Sequence, residues 1–283
     1  MTIRISYLNG EFLPHEKCFV HIEDRGFQFA DAVYEVILFE NGKLIDGDPH
    51  LERLLRNLRE VNITHSFSRE FLTNLILELF HKNKMGGGTC YLQITRGQHS
   101  RIPSCPKEAS PSIIATVSER KKVSDEEFET GFTAMTHEDI RWHRCDIKTV
   151  GLLASTLLNQ KAKDSGFNDV IFVRDNIVTE ASFANLFIVD ADENLITKDV
   201  DNLILQGITR NRLIELAKQN NIKVIEKKFG ADEMMKAKEV FLTSSSLILR
   251  PIVKIDGKEI NGKKIGKISR LLSEKYQHFI QKN

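Results

Sequence analysis

Hydrophobic positions change period several times along the chain, and each change predicts an element. Short apolar alternations in "IRISYLNGEFLP" read as two strands joined at Asn9-Gly10, a pair suited to a tight hairpin. Val33, Tyr34, Glu35, Val36, Ile37 and Leu38 form a β-rich run that turns back at Asn41-Gly42. From Pro49 the spacing becomes helical. Leu51, Leu54, Leu55 and Leu58 share one stripe, with His50, Arg53 and Asn57 on a neighbouring one. Phe71, Leu72, Leu75, Ile76, Leu79 and Phe80 mark a second helix, after which "TCYLQITRG" and "PSIIATVS" return to strand patterning.

The segment "SERKKVSDEEFETG", 118–131, is polar and charge-dense, and reads as an interdomain linker. Beyond it the pattern is richer in strands. "DVIFVRDNIVTEA" is a hairpin turning at Asp175-Asn176, and "ANLFIVDADENLIT" is another. "GITRNRLIELAKQNN" reads as a helix with Thr209 as its N-cap. "EVFLTSSSLILRPIV" is a strand entering a hydroxyl-rich turn, and the last 20 or so residues form an amphipathic helix. The pattern predicts a mixed α/β (α+β) chain of two domains, 1–120 and 121–283.

Composition narrows the function. The 283 residues suffice for two domains with sizeable cores. Lys and Arg (40) nearly cancel Asp and Glu (39), which disfavours a nucleic-acid partner. No apolar run approaches a membrane span, and "MTIRISYLNGEFLPHEK" lacks a secretory apolar stretch, so a cytoplasmic location is expected. Cys18, Cys90, Cys105 and Cys145 are far apart and have no zinc spacing, so no metal is expected.

Candidate chemistry is scattered. In "RWHRCDIKTVGLLAS", Lys148 opens an apolar run. Desolvating an ammonium makes it a nucleophilic amine of the kind that forms Schiff bases. By itself the residue fits better as a snorkelling lysine at a helix start. "NLILQGITRNRL" runs from strand through glycine to helix, and the first-turn amides of Ile208 and Thr209 suit an anion or an ordinary capped turn. Thr243–Ser246 offer four adjacent hydroxyls, for phosphate oxygens or for the turn itself. Arg53 could clamp phosphate or pair with Glu52 at the surface. Glu180, at a strand end, could face a heterocyclic nitrogen or water. An amine, a phosphate cradle and a carboxylate are together what a pyridoxal phosphate enzyme requires.

Seven segments in order, "DRGFQFADAVYEV", "HLERL", "YLQITRG", "EDIRWHRCDIKTVGLL", "VTEASFANLF", "LQGITR" and "EVFLTSSS", resemble the class IV (fold-type IV) pyridoxal phosphate aminotransferases, and among them the D-amino-acid branch. The resemblance implies a small N-terminal α/β domain, a larger C-terminal β-barrel-like domain that binds pyridoxal 5′-phosphate, and a homodimer sharing its sites. It implies that Lys148 forms the Schiff base and shuttles the substrate proton. Glu180 would face the pyridine nitrogen. Arg53, Ile208, Thr209 and Ser245 would bind the phosphate, and Arg141 would lie near the phenolic oxygen. Tyr34 and Arg101 would bind the substrate carboxylate. The implied reaction moves an amino group from a D-amino acid of D-alanine type to 2-oxoglutarate, giving a 2-oxo acid and D-glutamate.

The loop "TRGQHSRIPSCP" departs from the branch pattern. Arg101 matches its arginine, but Pro103 stands where the branch has histidine, and proline carries no side-chain donor. His99 is the nearby imidazole. Phe183 and Ala184 also replace smaller polar residues. The rivals within the class are a branched-chain L-amino-acid aminotransferase and an aminodeoxychorismate lyase. Outside it stand a binding protein without the cofactor and a thiol enzyme using Cys145 with His143.

Overall fold

The computed structural model describes residues 4–64 and 66–282. The chain divides into two compact units. The first runs to Arg120 and takes in Ile147–Gly151; the second comprises Lys121–Asp146 and Leu152–Lys282.

The first unit contains β1 (Ile5–Leu8), β2 (Glu11–Pro14), α1 (Arg25–Phe29), β3 (Ala32–Glu40), β4 (Lys43–Leu44), α2 (Gly47–Glu60), α3 (Arg69–Lys82), β5 (Gly87–Thr95) and β6 (Ser112–Ser118). Its antiparallel sheet has the order β2-β1-β6-β5-β3-β4. Asn9 (φ 49°) and Gly10 (φ 104°) make the expected hairpin turn. Alternation along β3 sends Val33 and Ile37 into a core shared with Leu51, Leu54 and Leu58 of α2. Glu35 falls on that same face and is fully buried.

The second unit contains α4 (Asp125–Thr130), β7 (Phe132–Glu138), α5 (Leu153–Asp164), β8 (Asp169–Arg174), β9 (Ile177–Ala181), β10 (Asn185–Val189), β11 (Leu195–Thr197), α6 (Ile208–Gln219), β12 (Val224–Glu226), α7 (Ala231–Met235), β13 (Glu239–Ser244), β14 (Ile248–Ile255), β15 (Lys258–Glu259) and α8 (Lys267–Lys282). Its mixed sheet runs β12-β11-β10-β13-β14-β7-β8-β9, with β15 on β14. A tight turn, closed by the Ala181 N–H on the Ala184 carbonyl at 2.8 Å, brings β10 back beside β9 and curls the sheet. The curled sheet is barrel-like, as the resemblance implies for the second domain.

Two local expectations change. The polar stretch 118–131 is not wholly linker, because a capping box between Ser124 and Glu127 starts α4 within it. Thr209 is not an N-cap. Gly207 caps α6, and Thr209 lies inside its first turn. Among the described residues no helix is long and apolar enough to cross a membrane, and no group of His, Cys, Asp and Glu could hold a metal ion.

Candidate active site

Strand β3 pairs with β5 along its length but meets β4 only at Phe39 and Glu40, which leaves the start of one edge open. The Lys148 segment fills that edge. The Tyr34 N–H donates to the Lys148 carbonyl (3.0 Å) and the Val150 N–H to the Ala32 carbonyl (3.2 Å), flanking an antiparallel bridge between Val33 and Thr149. Lys148 is therefore seated by a strand. The helix-start reading is overturned, since α5 begins only at Leu153. The side chain is half-buried, with Nζ 4.2 Å from the centroid of the Tyr34 ring.

Behind that strand lies a buried ionic cluster. Arg53 Nε and NH2 donate to the two oxygens of Glu35 at 2.7 and 2.9 Å, and His50 Nδ1 stands 2.7 Å from Glu35 Oε2. All three residues are buried, so Arg53 is not a surface arginine; Glu52 pairs with Arg69 instead. Burial alone would push the Glu35 carboxyl up. The Arg53 guanidinium and His50 outweigh it and hold the pKa at about 2. Desolvation lowers the His50 pKa, with Glu35 opposing.

In the second unit, Glu180 near the end of β9 is buried. Its Oε1 accepts from Arg141 NH1 at 2.5 Å, and its Oε2 accepts from Asn185 Nδ2 (3.0 Å) and the Leu205 N–H (3.1 Å). Arg141 is shared. Its Nε and NH2 donate to Asp139 at 2.9 and 2.8 Å, and its guanidinium rests 4.6 Å from the Phe172 ring centroid. Resemblance placed Arg141 near the phenolic oxygen of the cofactor; in the structure its donors face two carboxylates. Burial raises the Glu180 pKa, opposed by Arg141 and the Leu205 amide. Asp139 is lowered despite burial, through bonds from Arg141 and Thr179.

Gly207 brings α6 close to this acid. A Cβ there would lie 2.0 Å from Asn185 Oδ1, so only glycine lets Asn185 keep its bonds to Glu180 and the Leu205 carbonyl. The amides of Ile208 and Thr209 open α6, where no intrahelical carbonyl can satisfy them. Ser245 is in the turn joining β13 to β14. Phe183 and Ala184 line a cavity of about 370 Å³ together with Asp169, Thr243 and Arg250.

Arg101 is exposed on the loop after β5, its guanidinium 5.0 Å from the Phe29 ring centroid. His99 Nδ1 is held within its own loop, against the Ser100 carbonyl (3.0 Å) and hydroxyl (3.2 Å). Cys145 is no nucleophile. Its thiol is buried, donates to the Trp142 carbonyl, and burial pushes its pKa up to about 12.

A family model described as amino-transferase class IV matches residues 32–255. The chain belongs to the class IV aminotransferases. It is 37% identical over 273 residues to D-alanine aminotransferase of Bacillus licheniformis, covering 96% of this chain and 95% of that protein. The Staphylococcus aureus D-alanine aminotransferase is also 37% identical, covering 97% of each. Among solved structures, the branched-chain amino acid aminotransferase of Escherichia coli superposes with a TM-score of 0.91 at 22% identity, covering 98% of this chain and 94% of that one. At that identity it speaks for the fold alone.

Class IV aminotransferases work with pyridoxal phosphate, and the donor sets here fit it. Lys148 offers an amine, Arg53 and the α6 amides offer anion donors, and the under-compensated Glu180 offers a partner for a ring N–H⁺. Sequence reasoning missed Glu35, Asp139, Asn185 and Thr179. The signal for Glu35 was in view as an acid inside the apolar run of β3, opposite a helix stripe carrying His50 and Arg53.

Proposed function

We propose that this class IV aminotransferase moves amino groups from D-amino acids, of D-alanine type, to 2-oxoglutarate, giving a 2-oxo acid and D-glutamate. Near-full-length identity with D-alanine aminotransferases supports the choice of substrate. The observation that carries the chemistry is the bonding of the Lys148 backbone to the strand that bears Tyr34.

When bound, the cofactor supplies an aldehyde and an electron-accepting ring. Lys148 would hold that aldehyde through its amine, and the same amine would move the proton at the substrate α-carbon. Glu180 would keep a proton on the ring nitrogen, with Arg141 and Asn185 fixing the orientation of the carboxylate. Arg53, the amides of Ile208 and Thr209, and Ser245 would hold the phosphate. Tyr34 and Arg101 receive the substrate carboxylate, with Arg101 supplied to the partner's site of a homodimer. Pro103 leaves the carboxylate grip with one donor fewer, and His99 is held within its own loop. Phe19, Ile22 and Phe27, each at least 75% exposed, provide apolar surface for a second copy. The enzyme works in the cytoplasm.

Initial rates over a panel of D- and L-amino acids with 2-oxoglutarate, and the chirality of the glutamate formed, test this reading. D-Alanine as preferred donor and D-glutamate as product are expected. Preference for L-leucine with L-glutamate formed, or turnover of aminodeoxychorismate without an acceptor, overturns it. Borohydride reduction followed by peptide mass spectrometry should place the adduct on Lys148.

A further inference from the structure

Arg101 reaches solvent from a loop, yet that loop is tied down more firmly than its exposure suggests. Arg25 is 2% exposed. Its Nε donates to Asp31 Oδ2 at 2.9 Å, and its NH1 donates to the Ile102 carbonyl at 2.7 Å, directly after Arg101. Arg96 grips the same Asp31 through Nε (2.7 Å) and NH2 (3.0 Å), and caps the carbonyls of Asn62 and Val61. At the other end of the loop, the Arg25 N–H donates to the Gly97 carbonyl (2.9 Å) and the His99 N–H to the Glu23 carbonyl (3.2 Å). Gly97 has φ +94°, and a Cβ there would lie 1.8 Å from the Ser110 carbonyl oxygen. The loop therefore leaves β5 along a path open only to glycine.

Between these ties stands the half-buried ring of Phe29. The Arg25 guanidinium is 4.6 Å from its centroid and the Arg101 guanidinium 5.0 Å. A buried arginine thus fixes the ring, and the ring faces the exposed arginine. We propose that Phe29 is a positioning residue for substrate recognition, a platform backed by Arg25 that holds the Arg101 guanidinium ready for the substrate carboxylate. This rests on the reading of Arg101 as the carboxylate grip. A free arginine side chain must give up much rotamer freedom on binding, and a ring that already holds it reduces that loss. The need is sharper here because Pro103 supplies no second donor and His99 is turned into its own loop.

A double-mutant cycle in the cofactor-loaded enzyme tests the proposal. Phe29→Leu should raise KM for D-alanine about three- to fivefold, the range of an exposed cation–π contact, with kcat and cofactor retention unchanged. Phe29→Tyr, which keeps the ring, should restore KM. In an Arg101→Ala background Phe29→Leu should add nothing, and full additivity overturns the platform. So does an unchanged KM in Phe29→Leu when Arg101→Ala raises it. Hydrogen exchange of residues 98–103 gives a second readout, expected to quicken in Phe29→Leu. If Arg101→Ala leaves KM unchanged, the carboxylate reading fails, and unchanged exchange in Phe29→Leu then overturns the platform on its own account.

Discussion

Glu35 and Glu180 are both buried carboxylates bound by arginine, and they titrate in opposite directions. Glu35 is bound bidentately by one arginine and by an imidazole besides, and its pKa sits at about 2. Glu180 receives one nitrogen of an arginine whose other donors serve Asp139, and its pKa rises. The first carboxylate is fully compensated. The second is short of positive charge, and a protonated ring nitrogen would complete it. A buried acid left under-compensated is thus the better marker of a binding role than one tightly paired, even at similar burial.

The largest effect is expected from Glu180→Gln. It should lower kcat about a hundredfold or more, because the ring nitrogen loses the group that keeps it protonated. Thermal unfolding of the apoprotein should hardly change, since the variant removes a charge that burial already penalises. A fall in apoprotein stability would erase the contrast with Glu35.

Glu35→Gln should behave in reverse, destabilising the apoprotein by about 3–5 kcal/mol by leaving Arg53 buried without its counter-charge. The pH dependence has a definite sign. A depressed folded pKa gives stability that is present above the unfolded value of about 4.3 and is lost as pH falls through the folded one. For Glu35 that loss runs down to about 2. The stability gap between wild type and Glu35→Gln should close over that window in denaturant titrations, and a constant gap would show that Glu35 is not ionised in the fold. Glu180 runs oppositely, its raised pKa adding a cost as pH climbs above the unfolded value.

The smallest effect belongs to Gly207→Ala. The backbone there (φ −67°) accepts any residue, so the consequence is steric only. The new methyl displaces Asn185 and loosens Glu180, and kcat should fall about tenfold while the Glu35 cluster is untouched. Unaltered turnover would mean that Asn185 does not orient the acid.

The contrast was only partly legible in the sequence. Strands and helices with strict periods, from the Asn9-Gly10 hairpin to α8, were visible because their signals are local. The Ser124–Glu127 capping box was equally local but lay hidden in a stretch whose charge density suggested linker. The partners of Arg53 and Arg141 were not legible, because each lies on a strand elsewhere in the chain, 18 residues away for Glu35 and 39 for Glu180. The seat of Lys148 depends likewise on an edge bridge to Val33 far upstream. Thr209 looked like a cap because threonine caps well in general, whereas the close approach of Asn185 demanded glycine two residues earlier.

The chain leaves the second unit at Asp146, lays five residues along the edge of β3, and returns at Leu152. A gene split after Arg120 would put Lys148 on one polypeptide and the strand that seats it on the other. Neither piece alone could then be an enzyme, and activity recovered from the mixed halves would count how many had found each other.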